Sequence, residues 1–286
     1  MMYLKIIILA ILQGACELLP VSSSAHVIIA EKLMGIDPVA PSMTLLLVML
    51  HTGTMFAVII YFRRAWKESY FQSWKTFHRF AGLVVAATFL TGIIGIALKE
   101  IIEKVFLRGT PHAQVEMIFG NLGLIGISLA VVGILIIFSG LGEEVRRRGR
   151  EVGLKESAWI GAVQGLCLPF RGFSRSGATI STGLLAGVGK RQAEEFSFAL
   201  VVVLTPPVIL REVYRMLEVH RAVSVGTSGL FDLFLPSIFG MAASFLAGLL
   251  ALKWLSSWLE AGRWKYFGFW CLTMAAISLY LYHSGF

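Results

Sequence analysis

Long apolar runs and short polar breaks alternate down the chain, and two further apolar runs are too short for the series. The long runs lie at 43–62, 80–98 and 115–138 in the first half and near 196–216, 232–252 and 265–283 in the second. Each is long enough for a helix to cross a hydrocarbon core of about 30 Å. Residues 3–16 are equally apolar, but as a helix they reach only about 21 Å. Pro20 and Ser22-Ser23-Ser24 then interrupt, and a second short helix is expected over about 24–34, ending at Gly35. Residues 158–188 repeat the plan. A short arm over 158–168 leads to the polar turn Gly172-Phe173-Ser174-Arg175-Ser176-Gly177-Ala178-Thr179, and a short helix follows over about 179–188. Each pair predicts a re-entrant hairpin that enters and leaves on one side. Irregular backbone at that depth is tolerated only where protein or a water-filled cavity surrounds it.

The two arms open alike, with Gln13-Gly14-Ala15-Cys16 and Gln164-Gly165-Leu166-Cys167. The expected fold is all-α: a polytopic membrane protein of six spanning helices and two re-entrant helical hairpins. A single membrane domain over 1–286 then divides into a first repeat over 1–139 (hairpin about 3–34 plus three spans) and a second over 157–286 (hairpin about 158–188 plus three spans). Three spans per half is odd, so the second copy is inverted relative to the first. Interrupted helices in such repeats place a site near the midplane.

The connections carry their own signals. Residues 35–42 read as a loop with Asp37, Pro38 and Pro41 as breakers. Trp66, Tyr70, Phe71 and Trp74 mark 65–77 as an amphipathic interfacial stretch. A mixed-charge surface helix is expected over 99–110, and Pro206-Pro207 should kink or break the run that holds them. Gly120, Gly123, Gly126 and Gly133 form small-residue packing faces. Trp254, Trp258 and Trp264 read as interface anchors.

A hydrophobic content of 57% and a mean hydropathy of +0.77 exclude an ordinary soluble domain. The net charge of +8 raises the question of nucleic acid. The basic residues instead cluster between apolar runs: 15 of the 25 Lys and Arg fall in 63–79, 140–157, 190–195 and 253–265, with Arg146, Arg147, Arg148 and Arg150 densest. The positive-inside rule puts those segments in the cytoplasm. The first hairpin then opens outward and the second inward, with no nucleic-acid partner. Cys16, Cys167 and Cys271 show no CxxC or metal-ligand spacing and read as small buried hydrophobes. Lys5 and the apolar run to Cys16 mimic a lipoprotein signal, but Gln13 at the third position before the cysteine argues against cleavage.

Both returning helices should start just after their polar turns, capped by Ser22 to Ser24 in one and by Ser174 and Ser176 in the other. Their N-termini aim free N–H groups and about half a positive charge at the protein centre, a ready anion site. Arg175 adds a planar fork of donors matched to phosphate oxygens, and Arg171 lies four residues earlier. Charged groups at membrane depth are functional candidates by default, which singles out Glu17, His26 and Arg175. Ser22, Ser23 and His26 fall within one helical turn, and Gln13 shares a helix face with Glu17. A carboxylate and an amide oxygen can hold a hard cation such as Mg²⁺, and a plain Glu17–Arg175 ion pair is the alternative. His51, beside Thr52 and Thr54, is expected to make a helix-to-helix hydrogen bond. His78, His112, His220 and His283 fall near membrane edges.

At these two stretches the chain resembles the bacitracin-resistance family of undecaprenyl-diphosphate phosphatases. That family has a Glu/Gln-xxx-Glu motif, a Pro-x-Ser-Ser-x-x-His stretch and a Pro-Gly-x-Ser-Arg-Ser-x-x-Thr motif. Gln13 and Glu17 fill the first, and Pro20, Ser22, Ser23 and His26 the second. Gly172, Ser174, Arg175, Ser176 and Thr179 fill the third, and Glu194-Glu195-Phe196-Ser197-Phe198 also looks familial. Arg171 stands where the family has Pro, with Pro169 two residues earlier, and Ala25 replaces the Gly before His26. The resemblance implies a multi-pass enzyme of the bacterial cytoplasmic membrane, its active site opening to the periplasmic side. Such an enzyme removes one phosphate from a C55 polyprenyl diphosphate, recycles the lipid carrier of cell-wall synthesis and gives bacitracin resistance. It also implies a divalent cation, Mg²⁺ or Ca²⁺, on Glu17 and Gln13. A homodimer is the candidate assembly.

The chemistry this suggests has Ser23, His26, Arg175 and Glu17 as catalytic groups, with Ser22, Ser24, Ser174, Ser176, Thr179 and Arg171 holding phosphate. Ser23 is the favoured nucleophile with His26 as its base, while attack by His26 itself or by an activated water stays open. The competing function is an inverted-repeat transporter or flippase for a phosphate-bearing lipid or anion.

Overall fold

A computed structural model describes residues 2–35, 41–108, 114–141, 149–222 and 227–285. Asp37, Pro38, His112 and the run Arg146-Arg147-Arg148 lie outside the described residues, as does the side chain of His220. The described residues are mostly helix joined by short turns, with no strand and a single isolated bridge between Arg150 and Val188. Among the described residues, five helices are long and apolar enough to cross a membrane, within Leu45–Tyr70, Trp74–Phe106, Leu122–Leu141, Lys190–Arg211 and Leu235–Glu260. This is a multi-pass membrane protein.

The first hairpin is α1 (Met2–Leu18) and α2 (Ser23–Leu33). Three long helices follow: α3 (Pro41–Tyr70), α4 (Trp74–Ile101) and α5 (Leu122–Leu141). The second hairpin is α6 (Leu154–Cys167) and α7 (Arg175–Leu185), followed by α8 (Lys190–Ala222), α9 (Thr227–Glu260) and α10 (Lys265–His283). Each hairpin packs on the other half. Helix α1 lies against α9 and α6 against α4, while α3 meets α8 and α5 meets α10.

Close approach at these seams requires glycine. A Cβ on Gly14 would sit 2.5 Å from the Ser244 carbonyl oxygen of α9, and one on Gly161 would sit 2.3 Å from that of Ala87 on α4. Gly126 and Gly133 do the same for α5 against α10, whereas Gly120 faces open space. Where a hairpin half is too short to satisfy itself, side chains bridge the seam. Gln164 of α6 donates to Thr91 of α4 at 3.0 Å, and Thr91 donates to the Gly161 carbonyl at 2.9 Å.

Several boundaries differ from the expected ones. The aromatic stretch 65–77 does not form its own interfacial element: α3 continues through Tyr70 and α4 starts at Trp74, its first turn capped by Ser73. Helix α4 also runs through Ile101 into a π-helical turn over Ile102–Phe106, so no separate surface helix forms there. Pro206 and Pro207 lie inside continuous α8, and Pro236 inside α9. Helix α7 begins at Arg175, four residues before the expected start, because Ser174 caps it by accepting from the Gly177 N–H at 3.2 Å. Trp264 is not an interface anchor. It is fully buried, and its indole N–H reaches the hydroxyls of Ser139 at 3.0 Å and Ser181 at 3.1 Å. A tryptophan with a partner for its N–H gains more from burial than from a wet interface.

Candidate active site

The polar tips of the two hairpins meet. The Gly172 N–H donates to Ser24 Oγ at 3.3 Å, and the Ser176 hydroxyl donates to the Leu19 carbonyl at 3.1 Å. Gly172 has φ of +92°, and a Cβ there would lie 2.6 Å from the Ile125 carbonyl oxygen, so this corner accepts only glycine comfortably. Ser22 takes φ of +67°, the only positive φ at a non-glycine among the described residues. Strain of this kind collects where surrounding contacts fix a functional corner.

Glu17, one turn before the first tip, is the hub. One carboxylate oxygen accepts from Arg175 at 2.8 Å, while the other accepts from Ser23 Oγ at 2.5 Å and from Gln13 Nε2 at 3.1 Å. The side chains of Glu17 and Arg175 are only 15% and 21% exposed, so their attraction is little screened. The Ser23 hydroxyl therefore donates its hydrogen bond to a carboxylate, not to an imidazole. His26 is turned away, because its Nδ1 lies 2.8 Å from the Ser22 carbonyl and must donate to it. That leaves a lone pair on Nε2, and the Trp270 indole N–H donates to it at 3.0 Å. The two rings lie nearly parallel, with 7° between their planes and 6.1 Å between their centroids. Both nitrogens of the expected base are thus occupied.

Other expected residues also serve the frame. Thr179 is fully buried, donating to the Arg175 carbonyl at 2.8 Å and sharing a 2.6 Å hydroxyl contact with Ser197. Ser174 caps α7, and Ser176 fastens the two tips. The Ser22 and Ser24 hydroxyls pair at 3.3 Å, and Ser22 makes no side-chain cap to α2. The first turn of α2 therefore keeps its backbone donors free of serine hydroxyls. Arg171 lays its guanidinium 4.4 Å above the Phe119 ring, a cation–π contact at the rim of the tip. Next to Ser197, Glu194 accepts from Ser256 at 2.5 Å, Glu195 pairs with Arg191 at 2.7 Å, and Phe198 stacks on Phe62. The whole 194–198 segment locks α8 to its neighbours.

Two participants escape a reading of the chain in order. Trp270 belongs to α10, and only the fold brings it to His26. His51 of α3 makes the expected helix-to-helix bond, to Gln13 at 3.2 Å, and also stands 3.7 Å from Glu17. The rule that ionisable groups at membrane depth are functional, already applied to Glu17 and Arg175, would have found it. Among the described residues no three of His, Cys, Asp and Glu cluster as a metal cage. The donor set of Glu17 and Gln13 nonetheless suits a hard divalent cation, which asks for one or two carboxylates and leaves its other positions to phosphate and water.

Chains of known type match this sequence nearly from end to end. The family model described as bacitracin resistance protein BacA matches residues 6–277. An undecaprenyl-diphosphatase 2 of Acinetobacter baylyi is 56% identical over 279 residues, covering 97% of each chain. The undecaprenyl-diphosphatase of Rhodopirellula baltica is 31% identical over 280 residues, again 97% of each. Undecaprenyl-diphosphatase 3 of Bacillus anthracis is 30% identical over 288 residues, 96% of each. With nearly its full length matched and the hairpin tips intact, the chain belongs to the bacitracin resistance protein BacA family.

Proposed function

We propose that the chain is a membrane phosphatase that hydrolyses a C55 polyprenyl diphosphate to the monophosphate and inorganic phosphate. Its product returns a lipid carrier to cell-wall synthesis, and its activity opposes bacitracin. One observation carries the reading: a single buried carboxylate, Glu17, takes the Ser23 proton on one oxygen and the Arg175 guanidinium on the other, 2.5 and 2.8 Å away.

The chemistry follows from those contacts. The terminal phosphate enters between the tips, drawn by Arg175 and by the N–H groups at the start of α2. The phosphate competes with Glu17 for the guanidinium, which loosens the carboxylate for its second task. Ser23 Oγ attacks the terminal phosphorus as its proton moves to Glu17, and the bond to the bridging oxygen breaks. The polyprenyl monophosphate leaves with that electron pair. Water then attacks the phosphoserine, Glu17 returns its proton to Ser23 Oγ, and phosphate departs. Gln13 and Glu17 would hold a divalent cation, Mg²⁺ or Ca²⁺, which supplies charge neutralisation to the phosphate oxygens. His26, held by Ser22 and Trp270, positions the α2 turn that presents Ser23.

The membrane plan belongs to the same proposal. The pairing of α1 with α9 and of α6 with α4 is what an inverted repeat produces, and it supports two re-entrant hairpins entering from opposite leaflets. Helix α10, 19 residues long, supplies the sixth span. The Lys and Arg distribution supports a first hairpin that opens to the outer side of the cytoplasmic membrane. Phosphate release by purified protein in detergent tests the reading. Ser23→Ala and Arg175→Ala should each lose most turnover while keeping the helical fold, and near wild-type turnover in both would overturn it. Tight binding of the lipid diphosphate without release would instead favour a transporter.

A further inference from the structure

A third donor stands beside Glu17 and Gln13 that none of the three motifs contains. The Nδ1 of His51 lies 2.8 Å from the Leu47 carbonyl, which can only accept, so Nδ1 carries the proton and Nε2 keeps a lone pair in the neutral ring. His26, His78 and His283 make the same bond to a carbonyl four residues back, so helix geometry sets this tautomer in all four. What distinguishes His51 is where its lone pair ends. Nε2 is 3.2 Å from Gln13 Nε2 and 3.7 Å from Glu17 Oε2, and those two atoms are 3.1 Å apart.

Three side-chain atoms from two helices thus form a small triangle. The circle through them has a radius of about 1.9 Å, just under the roughly 2.0–2.2 Å of metal–nitrogen and metal–oxygen bonds. Turning the Gln13 amide about its last torsion replaces its nitrogen by its oxygen at one corner of the triangle. The donors are then one carboxylate oxygen, one amide oxygen and one imidazole nitrogen. The His51 side chain is 41% exposed, so this corner of the site is open, and the carbonyl behind the ring is the outer partner that metal-bound histidines have.

We propose that His51 is a direct ligand of the divalent cation in this protein, through Nε2. The assignment rests on reading the hairpin tips as a cation-assisted phosphatase site. Its consequence is selectivity. An all-oxygen set suits Mg²⁺, Ca²⁺ and Mn²⁺, whereas an imidazole moves preference toward Zn²⁺, Fe²⁺ and Ni²⁺. The protein should therefore hold a borderline transition metal more tightly than Mg²⁺ before any substrate arrives.

The test uses Mn²⁺ as probe on the purified full-length protein in detergent, labelled with ¹⁵N-histidine and stripped of metal. Pulsed electron paramagnetic resonance of the bound ion should show coupling to one histidine nitrogen. His51→Gln should abolish that coupling and weaken Mn²⁺ binding by at least about 10-fold, the lower end of what loss of even an outer partner costs. Zn²⁺ should displace Mn²⁺ at lower concentration than Mg²⁺ does, and the gap should narrow in His51→Gln. Bound Mn²⁺ without histidine coupling in the wild type overturns the assignment, and so does failure to bind Mn²⁺ at all. Should His51→Gln not fold, the wild-type spectrum alone still decides. Phosphate release in the same preparation separates the two claims: release with no histidine coupling sinks the ligand and leaves the phosphatase standing.

Discussion

The Glu17–Arg175 pair joins the two hairpins and also holds the proposed chemistry, and a double-mutant cycle separates these roles. At 2.8 Å and an effective dielectric of about 20, the attraction is roughly 6 kcal/mol before desolvation. Desolvation removes most of that, and contacting charged pairs usually show coupling energies of about 0.5–3 kcal/mol. Truncating one partner of a fully buried pair costs about 3–5 kcal/mol, because the other charge is stranded. Arg175 keeps a fifth of its side chain exposed, so Glu17→Gln and Arg175→Gln should each cost nearer to about 2–3 kcal/mol. The double variant should cost about 3 kcal/mol rather than the sum, giving a coupling of about 1–3 kcal/mol. Reversible unfolding in mixed micelles measures this. Phosphate release should behave differently. Glu17→Gln removes the acceptor of the Ser23 proton and should lower turnover about 10²–10⁴-fold, with no recovery in the double variant. A coupling below about 0.5 kcal/mol would refute the fastening role. Turnover in Glu17→Gln within about tenfold of wild type would refute the proton-acceptor role.

Three further outcomes follow from the contacts around the tips. Gly172→Ala should lower stability by about 1–2 kcal/mol from its positive φ alone, and by more from the Ile125 carbonyl oxygen 2.6 Å from the new Cβ. A melting curve indistinguishable from wild type would contradict the described corner. Trp264→Phe should cost about 1–3 kcal/mol by removing the buried indole N–H that the Ser139 and Ser181 hydroxyls share, whereas a tryptophan anchored at the membrane surface would lose almost nothing in detergent. Trp270→Phe should leave Ser23 competent, reducing turnover less than tenfold, and should alter the ¹⁵N chemical shift of His26 Nε2 as its hydrogen bond is lost. A loss as deep as that of Ser23→Ala would restore His26 to the chemistry.

The arms, the breaks and the meeting of the tips were legible because each rests on local signals. Run length against bilayer thickness separates α1 and α6 from the long helices, and Pro20 and Gly172 mark the turns. Glu17 and Arg175 stood out as charges too costly to bury without a task. Partner choice within the tip was not legible. Ser23 and His26 are three residues apart on one helix, which suggests contact. Yet the His26 ring is captured by its own helix carbonyl and by Trp270, 244 positions away in sequence. Thr179 looked like a phosphate ligand from its place in the motif, but packing of α7 on α8 turns it to Ser197. Long-range packing decides such choices, and no periodicity records it.

The two tips are not equivalent, and the asymmetry explains why one site needs both. The first hairpin supplies the carboxylate, Glu17, and the proposed nucleophile, Ser23. The matching place in the second arm, four residues after Gln164, is Leu168, so that arm has no carboxylate to offer. It gives the cation, Arg175, on a helix whose own cap is already satisfied by Ser174. Neither hairpin alone balances its charge: Glu17 without Arg175 is a largely buried anion, and Arg175 without Glu17 a largely buried cation, each costing about 2–3 kcal/mol. The hairpins are therefore stable at depth only when their tips touch, and a phosphate that displaces Glu17 from Arg175 takes over one half of that balance. In the proposed mechanism, substrate binding and the pairing of the hairpins draw on the same guanidinium. Inorganic phosphate should accordingly raise the stability of Glu17→Gln, where the guanidinium is vacant, more than that of the wild type. Equal shifts in the two proteins would show that phosphate does not use Arg175.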